Sequence, residues 1–262
     1  MPARSALARS ALVAALVILA ACASAPPPAP SGPLTATTSD GVTVYGEPYL
    51  AGLDASAPLV LLFHQAGANG RGEYAEIAAW LNAHGVRAIA WDQRSGGDRF
   101  GSANRTVAAL PAGTPDTYCD AYPDLVAAVG AVAEAGLAER VFVWGSSYSA
   151  ALAVRLAAEH PERVAGALAF SPAAGGPMAE CRAREWLGRL QAPLLALRPA
   201  SEMGLASTQE QRDLFVAAGA TVEVVEHGVH GSSMLVDSRT EHDMADARAR
   251  VLAWIRTHAP AR

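Results

Sequence analysis

The sequence predicts a single α/β domain over residues 34–262, with a mostly parallel, eight-stranded sheet, helices on both faces and a small lid. Three observations carry this. Strand-like and helix-like patterns alternate from residue 34 to the C-terminus. The inner strand candidates are continuous apolar runs, as a strand buried on both faces requires. The alternation is preceded by a hairpin, which supplies an antiparallel edge to an otherwise parallel sheet. The chain has 262 residues, 51% hydrophobic and 17% charged, which suits one large globular domain. A net charge of −5 opposes a nucleic-acid partner.

Taken in order, "LTATT" and "VTVYGEPYL" flank the Asp40-Gly41 turn and read as the hairpin. "APLVLLFH" is the first buried strand. "GEYAEIAAWLNAHG" places apolar residues at helical spacing and closes on Gly85 as a C-cap. The strand "VRAIAWDQ" follows, then the long helix "DAYPDLVAAVGAVAEAGL", the strand "RVFVWG" and the helix "SYSAALAVRLAAEHP", stopped by Pro161. "RVAGALAFS" and "APLLALRPA" are strands, "TQEQRDLFVAAGA" a helix, "TVEVVEH" the last strand and "DMADARARVLAWIRTHA" the last helix. No internal repeat or second composition block interrupts the series. Residues 171–190 leave room for a loop and one short helix, hence the small lid. Residues 94–119 form a second long loop at the same sheet edge.

The N-terminus reads as a targeting segment. Arg4 and Arg9 precede the apolar "ALVAALVILAA", which ends in "LAAC" at Cys22. Basic, apolar and small-plus-cysteine elements in this order resemble the lipobox of bacterial lipoproteins. The resemblance implies a signal peptide over residues 1–21, cleavage before Cys22 and lipidation of its thiol. Residues 22–33 then form the lipidated cysteine and a Pro/Ala-rich tether, expected to be extended. The implied location is the bacterial cell envelope, on the membrane through the lipid. Ala23 rather than aspartate after the cysteine points toward the outer membrane. Cys119 and Cys181 remain; such a compartment permits a bridge between them, and two buried free thiols are the alternative.

Reactive residue types gather at the carboxyl ends of the strands, where open α/β sheets bind ligands. In "VFVWGSSYSA" the strand runs to Trp144 and the helix starts near Tyr148, so Ser147 sits at a sharp strand-to-helix turn. Such a turn needs small neighbours. Gly145 is one, and Ser149 stands where a second glycine is usual. "FHQAG" ends a central strand in His64, Gln65, Ala66 and Gly67, a loop able to donate a backbone N–H. "EHGVHGSS" sets His230 after the last strand. Ser, acid, His is a known chain order for a triad. Glu202 is the acid that directly follows "APLLALRPA"; Asp213 and Glu226 are its rivals, and His227 is the rival of His230. His64 reads as a loop-organising residue and Asp92 as a partner of loop amides. No spacing suits a metal or a dinucleotide, and no cofactor is expected.

Architecture, elbow and chain order resemble the α/β-hydrolase superfamily over nearly all of the body, closest to compact dienelactone-hydrolase and carboxylesterase-like members. The resemblance implies Ser147 as nucleophile, His230 as general base and then acid, and Glu202 as the orienting acid. It implies the Tyr148 amide as one oxyanion donor and Ala66 as the second, with Gln65 in reserve because it replaces the family's usual glycine. The expected substrate is a small acyl ester. A non-catalytic envelope protein that keeps the fold as a binding surface is the alternative. Tyr118, Tyr122, Phe100, Met178 and Trp186 are candidate pocket walls.

Overall fold

A computed structural model describes residues 32–260 of the chain. Eight strands form one sheet: β1 (Leu34–Thr37), β2 (Thr43–Tyr49), β3 (Leu59–Phe63), β4 (Arg87–Asp92), β5 (Val141–Ser146), β6 (Val164–Phe170), β7 (Leu194–Pro199) and β8 (Thr221–Val225). Their spatial order is β1-β2-β4-β3-β5-β6-β7-β8. β1 and β2 pair antiparallel, β2 pairs antiparallel with β4, and every later pairing is parallel. The side chains of β3, β4, β5 and β6 are buried throughout, which is why those segments read as unbroken apolar runs.

The helices are α1 (Gly70–Ala83), α2 (Arg105–Ala108), α3 (Tyr122–Glu134), α4 (Tyr148–Glu159), α5 (Ala206–Ala217), α6 (Asp237–Thr240) and α7 (Ala245–His258). α1 and α7 cover one face, burying Tyr74, Ile77, Leu81, Val251 and Ile255 with Val60, Leu62 and Leu168. α3 and α4 cover the other, burying Leu125, Val129, Leu152 and Leu156 with Leu61, Val143 and Ala167. Two cores on opposite sides hold the central strands rigid, and their carboxyl ends become a fixed platform.

The short helix expected within residues 171–190 is absent. Three 3₁₀ turns, Gly176–Met178, Ala183–Glu185 and Leu187–Arg189, take its place. Gly175, Gly176 and Pro177 break one end of the segment and Gly188 the other, leaving no run long enough for an α-helix. The other long loop contains α2, whose N-cap Asn104 accepts from the Val107 N–H at 2.9 Å. A Cys119–Cys181 disulfide joins the two loops. The signal segment 1–21, the lipidation candidate Cys22 and the tether up to residue 31 lie outside the described residues. Among the described residues no helix is long and apolar enough to cross a membrane.

Candidate active site

One residue separates β5 from α4, and that residue is Ser147. Its backbone sits at φ 59°, ψ −114°. A serine adopts this region at a cost of about 1–3 kcal/mol, held there by its surroundings. Here the Ser147 N–H donates to Phe170 O at 2.9 Å, and the Ser147 carbonyl accepts from Ala173 at 3.0 Å and Ala150 at 3.1 Å. Strand and helix nearly touch behind it. A Cβ on Gly145 would lie 2.2 Å from the Ser149 carbonyl oxygen and 2.5 Å from Ala150 Cα, so only glycine fits. The Tyr148 amide, at the first helical position, has no acceptor within its own helix.

Ser149 does more than occupy a small space. Its buried hydroxyl accepts from the Ser146 N–H at 2.8 Å and lies 2.7 Å from Phe63 O and 2.9 Å from Ser146 O. A glycine would leave these contacts unmade.

Glu202 lies in the turn Ala200–Glu202 that directly follows β7, and His230 lies in the loop after β8. Neighbouring strands therefore carry the pair. His230 Nδ1 is 2.5 Å from Glu202 Oε1. A carboxylate acceptor places the imidazole proton on Nδ1 and leaves a lone pair on Nε2. Glu202 is itself held from two sides, by Ser171 Oγ on Oε1 at 3.2 Å and by Arg198 Nη1 on Oε2 at 2.6 Å. The other Arg198 terminal nitrogen donates to Pro172 O and Gln211 Oε1. Burial pushes the Glu202 carboxyl up, but the hydrogen bond and charge of His230, with Arg198, bring it below its ordinary value. The rival acid Asp213 is exposed and paired with Arg212, and Glu226 is exposed. The rival base His227 stacks on His242 at 4.0 Å between centroids.

The elbow and the His230 loop are bound together through their chain neighbours. The Ser232 N–H, two residues past His230, donates at 2.9 Å to the hydroxyl of Ser146, one residue before Ser147.

On the other side of the elbow lies the loop after β3. His64 is fully buried there. Its Nε2 accepts from the Gln93 N–H at 2.8 Å, so the proton resides on Nδ1, which donates to Gln65 O at 2.8 Å. Burial pushes its pKa down. It is a neutral clamp on loop shape, not a proton carrier. The Gln65 N–H donates to Glu73 Oε2 at 2.7 Å and its side-chain amide to Glu73 Oε1 at 3.2 Å. The reserve oxyanion donor Gln65 is thus committed elsewhere, because a buried carboxylate claims its amide. Ala66, half-buried, is left at that position. Asp92 accepts from the amides of Gly70 and Arg105, at 2.8 and 3.0 Å, and so pins the neighbouring loop.

Sequence reasoning missed Glu73, which reads as a first-turn acid facing solvent and complementing the helix dipole. It missed Arg198 as well, at the end of β7, where it reads as a surface charge. No local pattern distinguishes either from an ordinary exposed residue.

A cavity of about 160 Å³ opens beside His230, lined by Ser171, Pro172, Ala173, Arg198 and Thr208 among others. Tyr118 stacks on Tyr148 at 4.9 Å, held by the adjacent disulfide. Of the other candidate walls, Tyr122 and Trp186 pack against the Arg155 guanidinium, Met178 is buried, and Phe100 lies under Arg239. A larger cavity, about 570 Å³, lies at the opposite sheet edge. Its Arg87, Arg140 and Arg256 donate to main-chain carbonyls at Ala57, Val164 and His84. Those arginines are tying off segment ends. Among the described residues no cluster of His, Cys, Asp and Glu suits a metal ion.

The strand order and the strained serine elbow define an α/β-hydrolase. A family model described as "Serine aminopeptidase, S33" matches residues 55–260, and the chain belongs to that family of serine hydrolases. Among curated proteins, none matches. Solved structures share the fold. The Pyrococcus furiosus esterase Pf2001 is 16% identical, with TM-score 0.64 over 87% of this chain and 91% of that one. A dienelactone hydrolase from Anabaena variabilis is 15% identical, with TM-score 0.62 over 87% and 97%. Est1E from Butyrivibrio proteoclasticus, with ferulic acid bound, is 10% identical, with TM-score 0.66 over 86% and 98%.

Proposed function

We propose that the protein is a serine esterase that cleaves small carboxylic esters through an acyl-enzyme on Ser147. The observation that carries this reading is the 2.5 Å His230–Glu202 bond beside a strained serine elbow. His230 Nε2 takes the Ser147 proton as Oγ attacks the ester carbonyl. The oxyanion forms against the amides of Tyr148 and Ala66. Collapse breaks the bond to the alkoxy oxygen, which leaves with the proton from His230 Nε2. Water then repeats the cycle: His230 takes its proton, the hydroxide attacks the acyl carbon, and the acid departs as Ser147 Oγ recovers the proton. Glu202 holds the imidazole tautomer and stabilises the imidazolium without itself taking the proton.

The family's description raises a second reading, an aminopeptidase. Such an enzyme needs a carboxylate near the elbow to hold the substrate's α-ammonium group. Glu73 is engaged by Gln65, Asp124 by Arg94, and Glu202 by His230 and Arg198. These engagements favour the ester. The small lid and a site beside open loops suit a small substrate. The lipobox-like "LAAC" supports anchorage through Cys22 in the bacterial envelope, with the catalytic body tethered off the membrane.

A fluorophosphonate probe should label the wild-type protein, and Ser147→Ala should abolish labelling. Labelling that persists in the variant would overturn the assignment. Short-chain p-nitrophenyl esters should turn over while aminoacyl anilides do not; the reverse preference would establish the peptidase.

A further inference from the structure

Glu73 is a glutamate with no exposed surface, in the first turn of an otherwise amphipathic helix. A carboxylate so placed is tolerated only if strong partners replace water. Its direct partner is Gln65, and the contacts around it continue through Ser146 to Ser232, so that they reach chain neighbours of the three groups that the esterase reading needs. Gln65 precedes Ala66 and gives the carboxylate both its backbone and its side-chain N–H. Ser146 precedes Ser147; its hydroxyl accepts the Ser232 N–H and favours the ionised form of Glu73. Ser232 belongs to the loop that carries His230; its hydroxyl lies 2.8 Å from Trp144 Nε1 and 3.1 Å from the Tyr74 hydroxyl.

The packing leaves no slack. A Cβ on Gly231, the residue after His230, would stand 2.4 Å from Ser146 Oγ and 3.5 Å from Gln65 Nε2. Arg239 closes the far side, donating to Glu73 O at 3.0 Å, Gly72 O at 2.9 Å and Ser233 Oγ at 3.2 Å. Burial pushes the Glu73 carboxyl up, and the bonds from Ser146 and Gln65 with the Arg239 charge oppose that rise.

We propose that Glu73 is a positioning residue that sets the loops after β3, β5 and β8 at their working separation. By taking both Gln65 donors it turns the loop so that the Ala66 amide is the one offered to the oxyanion. Through Ser146 it holds the elbow against the His230 loop. It touches no reacting atom. The inference rests on the esterase reading and adds to it a buried anchor.

The test uses the full-length protein in detergent, with a short-chain p-nitrophenyl ester and an alkyl boronic acid whose adduct with Ser147 occupies the oxyanion position. Glu73→Gln puts one oxygen and a donating NH2 where two charged acceptor oxygens stood, so the charge-assisted hold on Gln65 is lost. Its kcat should fall about 10- to 100-fold, somewhat less than deleting an oxyanion donor outright. KM should stay within about twofold of wild type, since ground-state binding is untouched. Boronate affinity should fall with kcat. Glu73→Asp, which keeps the charge, should recover part of both losses. Ser146→Ala removes one strand of the network while keeping the Gln65 bonds to Glu73, and should lower kcat by a smaller factor at unchanged KM. A folded Glu73→Gln with wild-type kcat and boronate affinity would overturn the proposal and leave the esterase standing. If Glu73→Gln does not fold, unchanged kcat in Ser146→Ala overturns it instead. Turnover by Ser147→Ala would overturn the esterase and this inference together.

Discussion

At the scale of single residues, the elbow is governed by steric contact and by one hydroxyl. Gly145 has no room for a methyl group, because the Ser149 carbonyl stands where its Cβ would go. Gly145→Ala should therefore lose about 3 kcal/mol or more, or fail to accumulate as folded protein; urea unfolding measures it. Ser149 yields a subtler expectation. From the sequence it is a small residue in a glycine's place, and Ser149→Gly is expected to keep activity. The structure adds a stability cost, since the hydroxyl answers the buried Ser146 N–H. Ser149→Gly should cost about 1–3 kcal/mol by leaving that donor unpaired, again read from the unfolding midpoint. Ser147 was legible as the elbow residue because glycine, serine and a following helical period are local signals. The role of Ser149 was not, because its partner Phe63 O lies on another strand.

At the scale of elements, the turn after β7 and the loop after β8 meet because their strands are neighbours. Glu202 needs the extra length of a glutamate side chain managed, and Arg198 and Ser171 manage it by gripping one oxygen each. On the proposed mechanism Glu202→Gln should lower kcat by about two orders of magnitude or more, because it would lose the carboxylate that steadies the imidazolium; steady-state kinetics check this. The pH dependence of stability has a definite sign. The folded carboxyl has a lower pKa than its ordinary value of 4.5. Its contribution is therefore complete above that value and is lost as pH falls through the lower folded one. The stability gap between wild type and Glu202→Gln should narrow as pH falls below about 4.5. A gap that widens as pH falls below about 4.5 would contradict the lowered carboxyl pKa. Arg198→Met should narrow the same gap at neutral pH.

The two long loops form the other pairing at this scale. Cys119 and Cys181 are separated by 62 residues, and their bridge joins the loop after β4 to the segment between β6 and β7. Closing a loop of that length is worth about 4 kcal/mol in the chain-entropy account. Replacing both cysteines by alanine should lower stability by about 2–4 kcal/mol. Release of Tyr118 from Tyr148 should follow, and tyrosine fluorescence reports it.

At the scale of the whole molecule, the fold was legible because its signals are short-range. Apolar runs in β3 to β6, helical spacing in α1, α4 and α7, and the hairpin turn at Asp40-Gly41 each sit within a dozen residues. Even the end of α1 at Gly85 is a local event, a glycine at φ 83°. The small lid was legible from its length, but its expected short helix gave way to 3₁₀ turns where propensity was weak, between Gly175 and Gly188, a segment that the bridge ties to Cys119. The three loops at the catalytic edge come from β3, β5 and β8, and only the sheet order sets β3 directly beside β5, with β4 on its other side, and β8 three places beyond β5.

The sequence by itself determined the alternation of elements, the elbow at Ser147 and the chemistry on offer at each strand end, because steric and periodic constraints act between near neighbours. Only the tertiary structure decided which acid meets His230, that Gln65 spends its amide on Glu73, and that Cys119 joins Cys181. Each of those is a contact between residues brought together by sheet order. A buried charge such as Glu73 is recognisable only once the groups that replace its water can be seen around it.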